Sequence, residues 1–184
     1  MGRARFVVAD GMRLPARPDL ADAVVSGLVL NFLPDPVAGL AEMVRVARPG
    51  GVTAAYVWDY AAGMELLRVF WDAAAELDPA AALLDEGRRF PLCAPAELVR
   101  LWRNAGLLEV RGTGLEVATS FRDFDDYWRP FLGGQGPAPA YVATLDDGRR
   151  DALRERLRAR IEAPVDGPIH LRARAWAVCG RRPA

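Results

Sequence analysis

The chain has 184 residues, of which 52% are hydrophobic and 26% are charged, a composition typical of an ordinary globular domain. Its 24 basic residues balance 24 acidic ones, so charge gives no support for a nucleic-acid or membrane partner. No apolar run reaches the roughly 18 residues that a membrane-spanning helix needs, and the first residues lack the pattern of a secretory signal. We therefore expect a cytoplasmic protein, with Cys93 and Cys179 as two buried thiols and no metal site.

The first predicted elements are two strands. Arg5–Ala9 is a short β-branched run that ends at an Asp-Gly dipeptide, which is typical of a strand followed by a loop. Asp22–Leu30 is apolar at alternate positions on both faces, as in a parallel strand that helices cover on both sides. These patterns predict the beginning of an α/β sheet.

A helix and a further strand follow, and they complete a predicted βαβ unit. Asp35 is suited to cap the helix and Pro36 to occupy its first position, while Pro49-Gly50-Gly51 predicts a turn into the strand Val52–Trp58. The predicted apolar face of this helix consists of Val37, Leu40, Ala41 and Val44.

The second half of the chain predicts helices with two further strands. In chain order these elements are helices over Gly63–Leu77 and Pro95–Ala105 (closed by Gly106), a strand over Leu107–Val117, helical segments over Phe121–Leu132 and Asp151–Ala163, and a strand over Ile169–Cys179. Gly133–Pro139 is predicted to be a loop and Pro164–Pro168 a turn. The fold class is therefore α/β: a single domain over residues 1–184 with a mostly parallel sheet and a helical insertion.

Ligands of open parallel sheets bind outside the carboxyl ends of the strands, and this rule selects the candidate site residues. We expect three clusters to lie side by side along one crevice; they are Asp10, Gly11 and Met12, then Ser26, Gly27 and Leu28, and finally Trp58 and Asp59. His170, the single histidine, begins a strand and is interpreted as a structural residue. No catalytic residue is identified.

Several segments carry a family resemblance. The run DAVVSGLVLNFLPDPVAGLAEMVRVARPGG, the preceding VVADGMRLP and the later DYWRPFLGGQGPAPAYV and ARAWAVCG together resemble class I S-adenosylmethionine-dependent methyltransferases. The resemblance implies a Rossmann-like methyltransferase sheet with S-adenosylmethionine as cofactor. It implies that Asp10 binds the adenine amino group, that Gly11 and Met12 adjoin the ring, and that Ser26 and Gly27 lie against the methionine portion.

The implied activity is in-line methyl transfer, which depends mainly on the positioning of the two reactants. Leu28–Pro34 lacks the Asn/Asp-Pro-Pro-aromatic signature of nitrogen methylation on nucleobases and glutamine, which favours a small-molecule acceptor. Residues 61–95 and 121–141 are predicted to cap the site on the substrate side. The alternative is a non-catalytic methyltransferase-like interaction or regulatory domain; a nucleotide-dependent oxidoreductase is disfavoured because no G-x-G-x-x-G motif follows a strand.

The resemblance also predicts missing parts. The family's glycine-rich loop and the acidic residue that binds the ribose have no counterpart before Arg5, and the family's strand order is three, two, one, four, five, seven, six. Without strands one and two, Asp22–Leu30 lies at a sheet edge. We therefore expect impaired cofactor binding in these 184 residues. The chain is interpreted as the C-terminal portion of the fold, which either forms a homodimer through the exposed edge or repacks Arg5–Ala9 against it.

Overall fold

The computed structural model describes residues 4–161 and 167–184. Within these residues the strands are β1 (Ala21–Gly27), β2 (Ala47–Trp58), β3 (Leu108–Phe121) and β4 (Ile169–Arg181). The α-helices are α1 (Pro36–Val46), α2 (Glu65–Leu77), α3 (Glu86–Arg89), α4 (Pro95–Asn104), α5 (Phe124–Trp128), α6 (Pro137–Thr144) and α7 (Asp147–Arg160). Four short 3₁₀ turns join them, at Leu30–Phe32, Pro79–Leu83, Pro91–Cys93 and Arg129–Leu132.

The four strands form one sheet in the order β1-β2-β4-β3, which equals the four, five, seven, six order expected for the last four strands. β1 and β2 are parallel. β4 runs against β2, because Arg182 pairs with Gly50 and Gly51 at one end of the strands while Arg174 pairs with Asp59 at the other. The prediction of a mostly parallel sheet is wrong, since the last strand enters between β2 and β3 and runs antiparallel to its neighbours.

The chain divides into two compact units. Unit 1 consists of residues 1–57, 95–113 and 176–184, and unit 2 consists of residues 58–94 and 114–175. No helix of the described residues is long and apolar enough to cross a membrane.

The βαβ unit of unit 1 confirms the predicted helix start. Asp35 Oδ1 accepts hydrogen bonds from the backbone N–H groups of Val37 (2.9 Å) and Ala38 (3.0 Å), and Pro36 is the first helical residue. The predicted apolar face is only partly right, because Val37 is exposed. The buried face consists of Gly39, Leu40, Met43 and Val46.

Gly39 lies on the buried face of this helix. A Cβ atom on Gly39 would lie 2.3 Å from Leu33 Cδ1, so a larger residue at this position would require the Leu33 side chain to move. A hydrophobicity pattern gives glycine no weight, and it therefore selects the neighbouring face.

The predicted Pro-Gly-Gly turn is a bulge inside β2. Helix α1 ends at Val46 and β2 begins at once, with Ala47 beside Ala21 in the register. The next register pair joins Ala23 to Val52, so the residues between them protrude from the ladder. Within this bulge Gly50 has a φ of +73°, a conformation that favours glycine.

Arg5–Ala9 does not form the predicted strand. The segment belongs to no strand of the described sheet, and Phe6 and Val8 are 95% and 103% exposed. A β-branched sequence favours an extended backbone, but a strand exists only when a neighbour accepts and donates its hydrogen bonds. The segment also does not repack against β1, whose described neighbour is β2.

β1 forms one edge of the sheet, as predicted, but it is not a covered strand. Val25 is 64% exposed although the sequence suggests burial on both faces. On β2, Thr53, Ala55 and Val57 are buried, whereas the alternate residue Tyr56 is exposed. One face of this strand pair is therefore covered within unit 1, and the other is open.

This open edge predicts concentration-dependent self-association. An apolar edge strand offers unpaired backbone groups to a second chain, and an added lysine opposes such pairing. We expect Val25→Lys to shift the equilibrium toward monomer. Val37→Lys is the matched control, because Val37 is also 64% exposed but lies on α1. Light scattering across a concentration series measures the effect; a wild-type chain that stays monomeric at the highest concentration contradicts the prediction.

Helix α4 covers one part of the sheet in unit 1. Trp102 is completely buried and donates its indole N–H to the backbone oxygen of Thr53 at 3.1 Å. A Cβ atom on Gly180 would lie 3.0 Å from the Trp102 ring, so the indole packs directly on β4. Gly106 has a φ of +74° and ends the helix as predicted.

Unit 2 has an aromatic core. Phe70 is completely buried and stacks on Phe131 with ring centroids 4.5 Å apart, and Trp71 meets Phe70 edge to face at 5.0 Å. Helix α7 begins four residues earlier than predicted and ends at Arg160. The predicted helix residues Glu162 and Ala163, and the start of the predicted turn Pro164–Pro168, lie outside the described residues.

Candidate functional site

The first candidate cluster forms a tight turn in unit 1. The backbone oxygen of Asp10 accepts the N–H of Arg13 at 3.0 Å, and Asp10 Oδ1 accepts the N–H of Met12 at 2.9 Å. A hydrogen bond from the backbone N–H two residues later to the aspartate side chain is the reason that aspartate is favourable in turns. The Asp10 side chain is exposed, while Gly11 and Met12 are half-buried. The turn therefore fixes the carboxylate at the surface, where it can accept a hydrogen bond from a ligand.

Leu33 links this turn to the segment that follows β1. A Cβ atom on Gly11 would lie 3.1 Å from Leu33 Cδ2, so the Leu33 side chain packs against the turn on one side and against Gly39 of α1 on the other. Leu33 comes six residues after Gly27, the last residue of β1. The fold thus places the Asp10 turn beside the loop that leaves the carboxyl end of β1.

The second candidate cluster closes β1. Ser26 is half-buried and lies beside Ala55 in the register, and Gly27 lies beside Tyr56. The N–H of Leu28 then donates to the Tyr56 oxygen at 2.9 Å. Both residues therefore lie at the sheet edge where parallel strands place ligands.

Two features of this strand end are absent from the sequence-based prediction. A Cβ atom on Gly27 would lie 2.5 Å from Tyr56 Oη, so the tyrosine ring lies directly on this glycine. Leu28 has a φ of +58°, a left-handed conformation that costs a non-glycine residue about 1–2 kcal/mol. A glycine beside a large residue on the neighbouring strand is a signal for the contact of Tyr56 with Gly27. Nothing in the sequence indicates the left-handed conformation of Leu28.

The third predicted cluster has a structural role in unit 2. Asp59 is 2% exposed, and its Oδ2 accepts from Arg174 Nε at 2.9 Å and Nη2 at 2.7 Å. Its Oδ1 accepts the N–H of Ala62 at 2.9 Å. The expectation that this carboxylate lines a ligand crevice is therefore wrong, because its oxygens are committed to neighbours in the same unit.

His170 lies exposed at the start of β4, with Nδ1 3.0 Å from the hydroxyl of Ser120. This is a cross-strand contact of the kind that stabilises a sheet. Within residues 4–161 and 167–184, no group of three or more histidine, cysteine, aspartate or glutamate side chains is arranged to hold a metal ion.

Unit 2 also contains a buried polar cluster that the sequence does not reveal. Arg68 forms a bidentate ion pair with Asp85, with Nη1 2.8 Å from Oδ2. Beside it, the Trp71 indole N–H donates to Glu86 Oε2 at 2.6 Å. Cys93 is buried, as predicted, and burial raises its pKa to about 11. These buried side chains have partners within unit 2, so they are interpreted as structural residues. Cys179 is exposed, so the prediction of a second buried thiol is wrong.

Glu86 gives this cluster a pH dependence. Burial raises the pKa of Glu86 above its ordinary 4.5, and the nearby Asp85 charge adds to the effect. A carboxyl whose pKa is raised in the folded state stabilises that state while protonated, and the contribution is lost as pH rises through the raised value.

We therefore expect Glu86→Gln to match the wild type near pH 4.5 and to become progressively more stable than the wild type at higher pH. Urea unfolding of both proteins across that range measures the difference. Glu155→Gln, which replaces an exposed glutamate of α7, is the control and should show no such divergence. A constant difference between Glu86→Gln and the wild type at every pH contradicts the prediction.

Comparison with known proteins adds a family match and a fold match. Residues 2–55 match the family model described as a methyltransferase domain. No curated protein matches the chain. The match covers the Asp10 turn, β1, α1 and most of β2, which contain all of the cofactor residues that the resemblance implies.

Three solved structures share the fold. A putative methyltransferase from Bacillus halodurans is 14% identical, with a TM-score of 0.53, over 96% of this chain and 70% of that protein. The YcgJ protein from Bacillus subtilis is 13% identical (TM-score 0.50; 98% and 71% covered). A putative methyltransferase from an antibiotic biosynthesis pathway of Anabaena variabilis is 16% identical (TM-score 0.50; 93% and 71% covered). At these identities the likeness shows the fold alone.

Proposed function

We propose that the chain acts in methyl transfer from S-adenosylmethionine to a small-molecule acceptor, and the match of residues 2–55 to the methyltransferase-domain model and the shared fold support this proposal. The observation that carries the proposal is the position of the Asp10 turn. It lies beside the loop that leaves β1, at the carboxyl end of the one parallel strand pair in the described sheet. Both candidate clusters therefore adjoin one region of unit 1.

The residues at the adenine end fit the cofactor. Asp10 presents an exposed carboxylate that a fixed turn holds in place, and such an oxygen accepts a hydrogen bond from an exocyclic amino group. Gly11 has no side chain to keep a ring away from its backbone, and Met12 offers a flexible apolar surface. These three residues would hold the adenine.

The residues at the methionine end fit only after a side-chain movement. Ser26 and Gly27 would adjoin the methionine portion, but the Tyr56 hydroxyl lies against Gly27. A ligand there requires rotation of the exposed Tyr56 side chain. Because this movement costs free energy, we propose that these 184 residues bind the cofactor weakly.

When bound, S-adenosylmethionine would supply an electrophilic methyl group for in-line transfer to the acceptor atom, with S-adenosylhomocysteine as the leaving group. The contribution of the chain is to position the two reactants, which can supply much of the rate enhancement. We propose that residues 61–95 and 121–141 determine the acceptor. The net charge of zero favours a small molecule over a nucleic acid.

Asp10→Ala tests the proposed cofactor site. We expect binding of S-adenosylmethionine to weaken about 10- to 150-fold, because a hydrogen bond to a charged group contributes about 1.5–3 kcal/mol. Isothermal titration calorimetry measures the affinity. Asp22→Ala is the matched control, since Asp22 is an exposed aspartate of β1 in the same unit. Equal affinity of the wild type and Asp10→Ala would refute the assignment of Asp10.

The non-catalytic alternative predicts a different outcome. An interaction domain with this fold would bind neither S-adenosylmethionine nor S-adenosylhomocysteine at millimolar concentration. Among the described residues no contact favours that function over methyl transfer, and it stays a prediction.

A further inference from the structure

A cavity of about 330 Å³ opens in unit 2, near the end of α2 and alongside α6 and α7. Its apolar walls include Leu77, Leu145 and the completely buried Leu153. Asp78, Tyr141 and Arg149 are its polar lining groups. An apolar cavity with a few convergent polar groups is the usual form of a small-molecule site, and this volume is at the lower end of the usual range.

Asp78 is an unneutralised carboxylate in this cavity. Its Oδ1 accepts the N–H of Ala80 at 3.0 Å, and its Oδ2 is 3.5 Å from the Tyr141 hydroxyl. In the described part of the chain no lysine, arginine or histidine forms an ion pair with Asp78. Burial and then the Asp78 charge raise the pKa of Tyr141, so the phenol remains a neutral donor. The carboxylate therefore retains the capacity to bind a cationic group.

Arg149 supplies the opposite charge at the mouth of the cavity. Its side chain is 76% exposed, and its Nε lies 3.7 Å from an oxygen of the similarly exposed Asp146. An exposed pair at this distance is weak, so the guanidinium remains able to donate hydrogen bonds to the carboxylate of a ligand. One cavity thus combines an anionic group, a cationic group and apolar walls.

We propose that this cavity binds a small apolar amino acid in its zwitterionic form. The ammonium group would pair with Asp78, the carboxylate with Arg149, and the aliphatic or aromatic side chain would contact the leucine walls. A simple anion would be repelled by Asp78 and a simple cation by Arg149, whereas a zwitterion satisfies both charges. The site lies entirely within unit 2 and does not depend on the proposed methyl transfer.

Calorimetric titration with four probes tests the proposal. L-leucine and L-phenylalanine carry both charges, N-acetyl-L-leucine lacks the ammonium group, and L-leucinamide lacks the carboxylate. We expect both amino acids to bind, and each derivative of leucine to bind about tenfold more weakly than leucine, because each loses one charge-assisted contact.

Two variants should separate the two contacts. Asp78→Asn should weaken leucine and leucinamide but not acetyl-leucine; asparagine keeps the capping bond to Ala80, so the fold is retained. Arg149→Gln should weaken leucine and acetyl-leucine but not leucinamide. Asp125→Asn and Arg156→Gln, which replace charged residues of unit 2 outside the cavity, should change nothing. Absence of leucine and phenylalanine binding at millimolar concentration, or affinities unchanged by either cavity variant, would overturn the proposal.

Discussion

Arg68→Met is expected to lower the free energy of unfolding by about 3–5 kcal/mol, because it leaves a buried carboxylate without its cation. Asp85 is 5% exposed, and both of its oxygens accept from the Arg68 guanidinium. Asp85 Oδ1 also accepts the N–H of Gly87 at 2.8 Å and so caps α3. The aspartate cannot rotate into water without releasing this helix.

A double variant shows whether the cost arises from the unpaired charge. Arg68→Met combined with Asp85→Asn removes both charges and keeps a residue that can cap the helix. Neutral replacement of a buried pair costs less than the loss of one partner, so we expect the double variant to be more stable than Arg68→Met alone. Urea unfolding measures both. If Arg68→Met lowers the free energy of unfolding by less than about 1 kcal/mol, the pair contributes no more to stability than a surface salt bridge does.

The second large effect is expected for Asp59→Ala, which should lower the free energy of unfolding by about 3 kcal/mol. The substitution removes three hydrogen bonds, two from Arg174 and one from Ala62. The Arg174 side chain is 31% exposed and can regain part of its solvation, so the loss should be smaller than for a fully buried partner.

Asp59→Ala and Asp10→Ala should have opposite effects on stability and affinity. Asp59→Ala should destabilise the chain and leave its affinity for S-adenosylmethionine unchanged at a temperature where the protein is folded. Asp10→Ala should weaken that affinity and leave the unfolding midpoint nearly unchanged, since Asp10 is exposed. Thermal unfolding and calorimetry on both variants distinguish these outcomes. A stable Asp59→Ala protein with impaired cofactor binding would instead indicate that Asp59 contributes to the ligand site.

Local patterns in the sequence are enough to predict much of unit 1. The capping carboxylate of Asp35 and the proline after it identify the start of α1, because both act through backbone groups within one helical turn. The sequence predicts a turn at Gly50 where the structure has a bulge, since the same glycine conformation is found in both. Arg5–Ala9 shows the limit of this approach: its residues favour a strand, but pairing depends on a neighbour elsewhere in the chain.

Long-range partners explain why the candidate site was only partly predictable. The rule that ligands bind at strand ends selects Asp10 and Gly27. Gly27 ends β1, whereas no described strand precedes Asp10, and cofactor binding at both residues stays a prediction. Asp59 forms an ion pair with Arg174, which lies 115 positions later in the chain. No local sequence pattern indicates this pair. Local sequence also does not indicate the contact of the Tyr56 ring with Gly27 or the ion pair of Arg68 with Asp85. These contacts depend on tertiary packing.

An NMR titration of the isotope-labelled chain with S-adenosylmethionine tests whether the Asp10 turn and the end of β1 together bind the cofactor. We expect the amide signals of Asp10, Gly11 and Met12, together with those of Ser26 and Gly27, to move in a concentration-dependent manner. Signals of the aromatic core in unit 2, such as those of Phe70 and Phe131, should move less. A titration that leaves the Asp10–Met12 and Ser26–Gly27 signals unchanged at millimolar cofactor, or that shifts only signals of unit 2, would contradict the account.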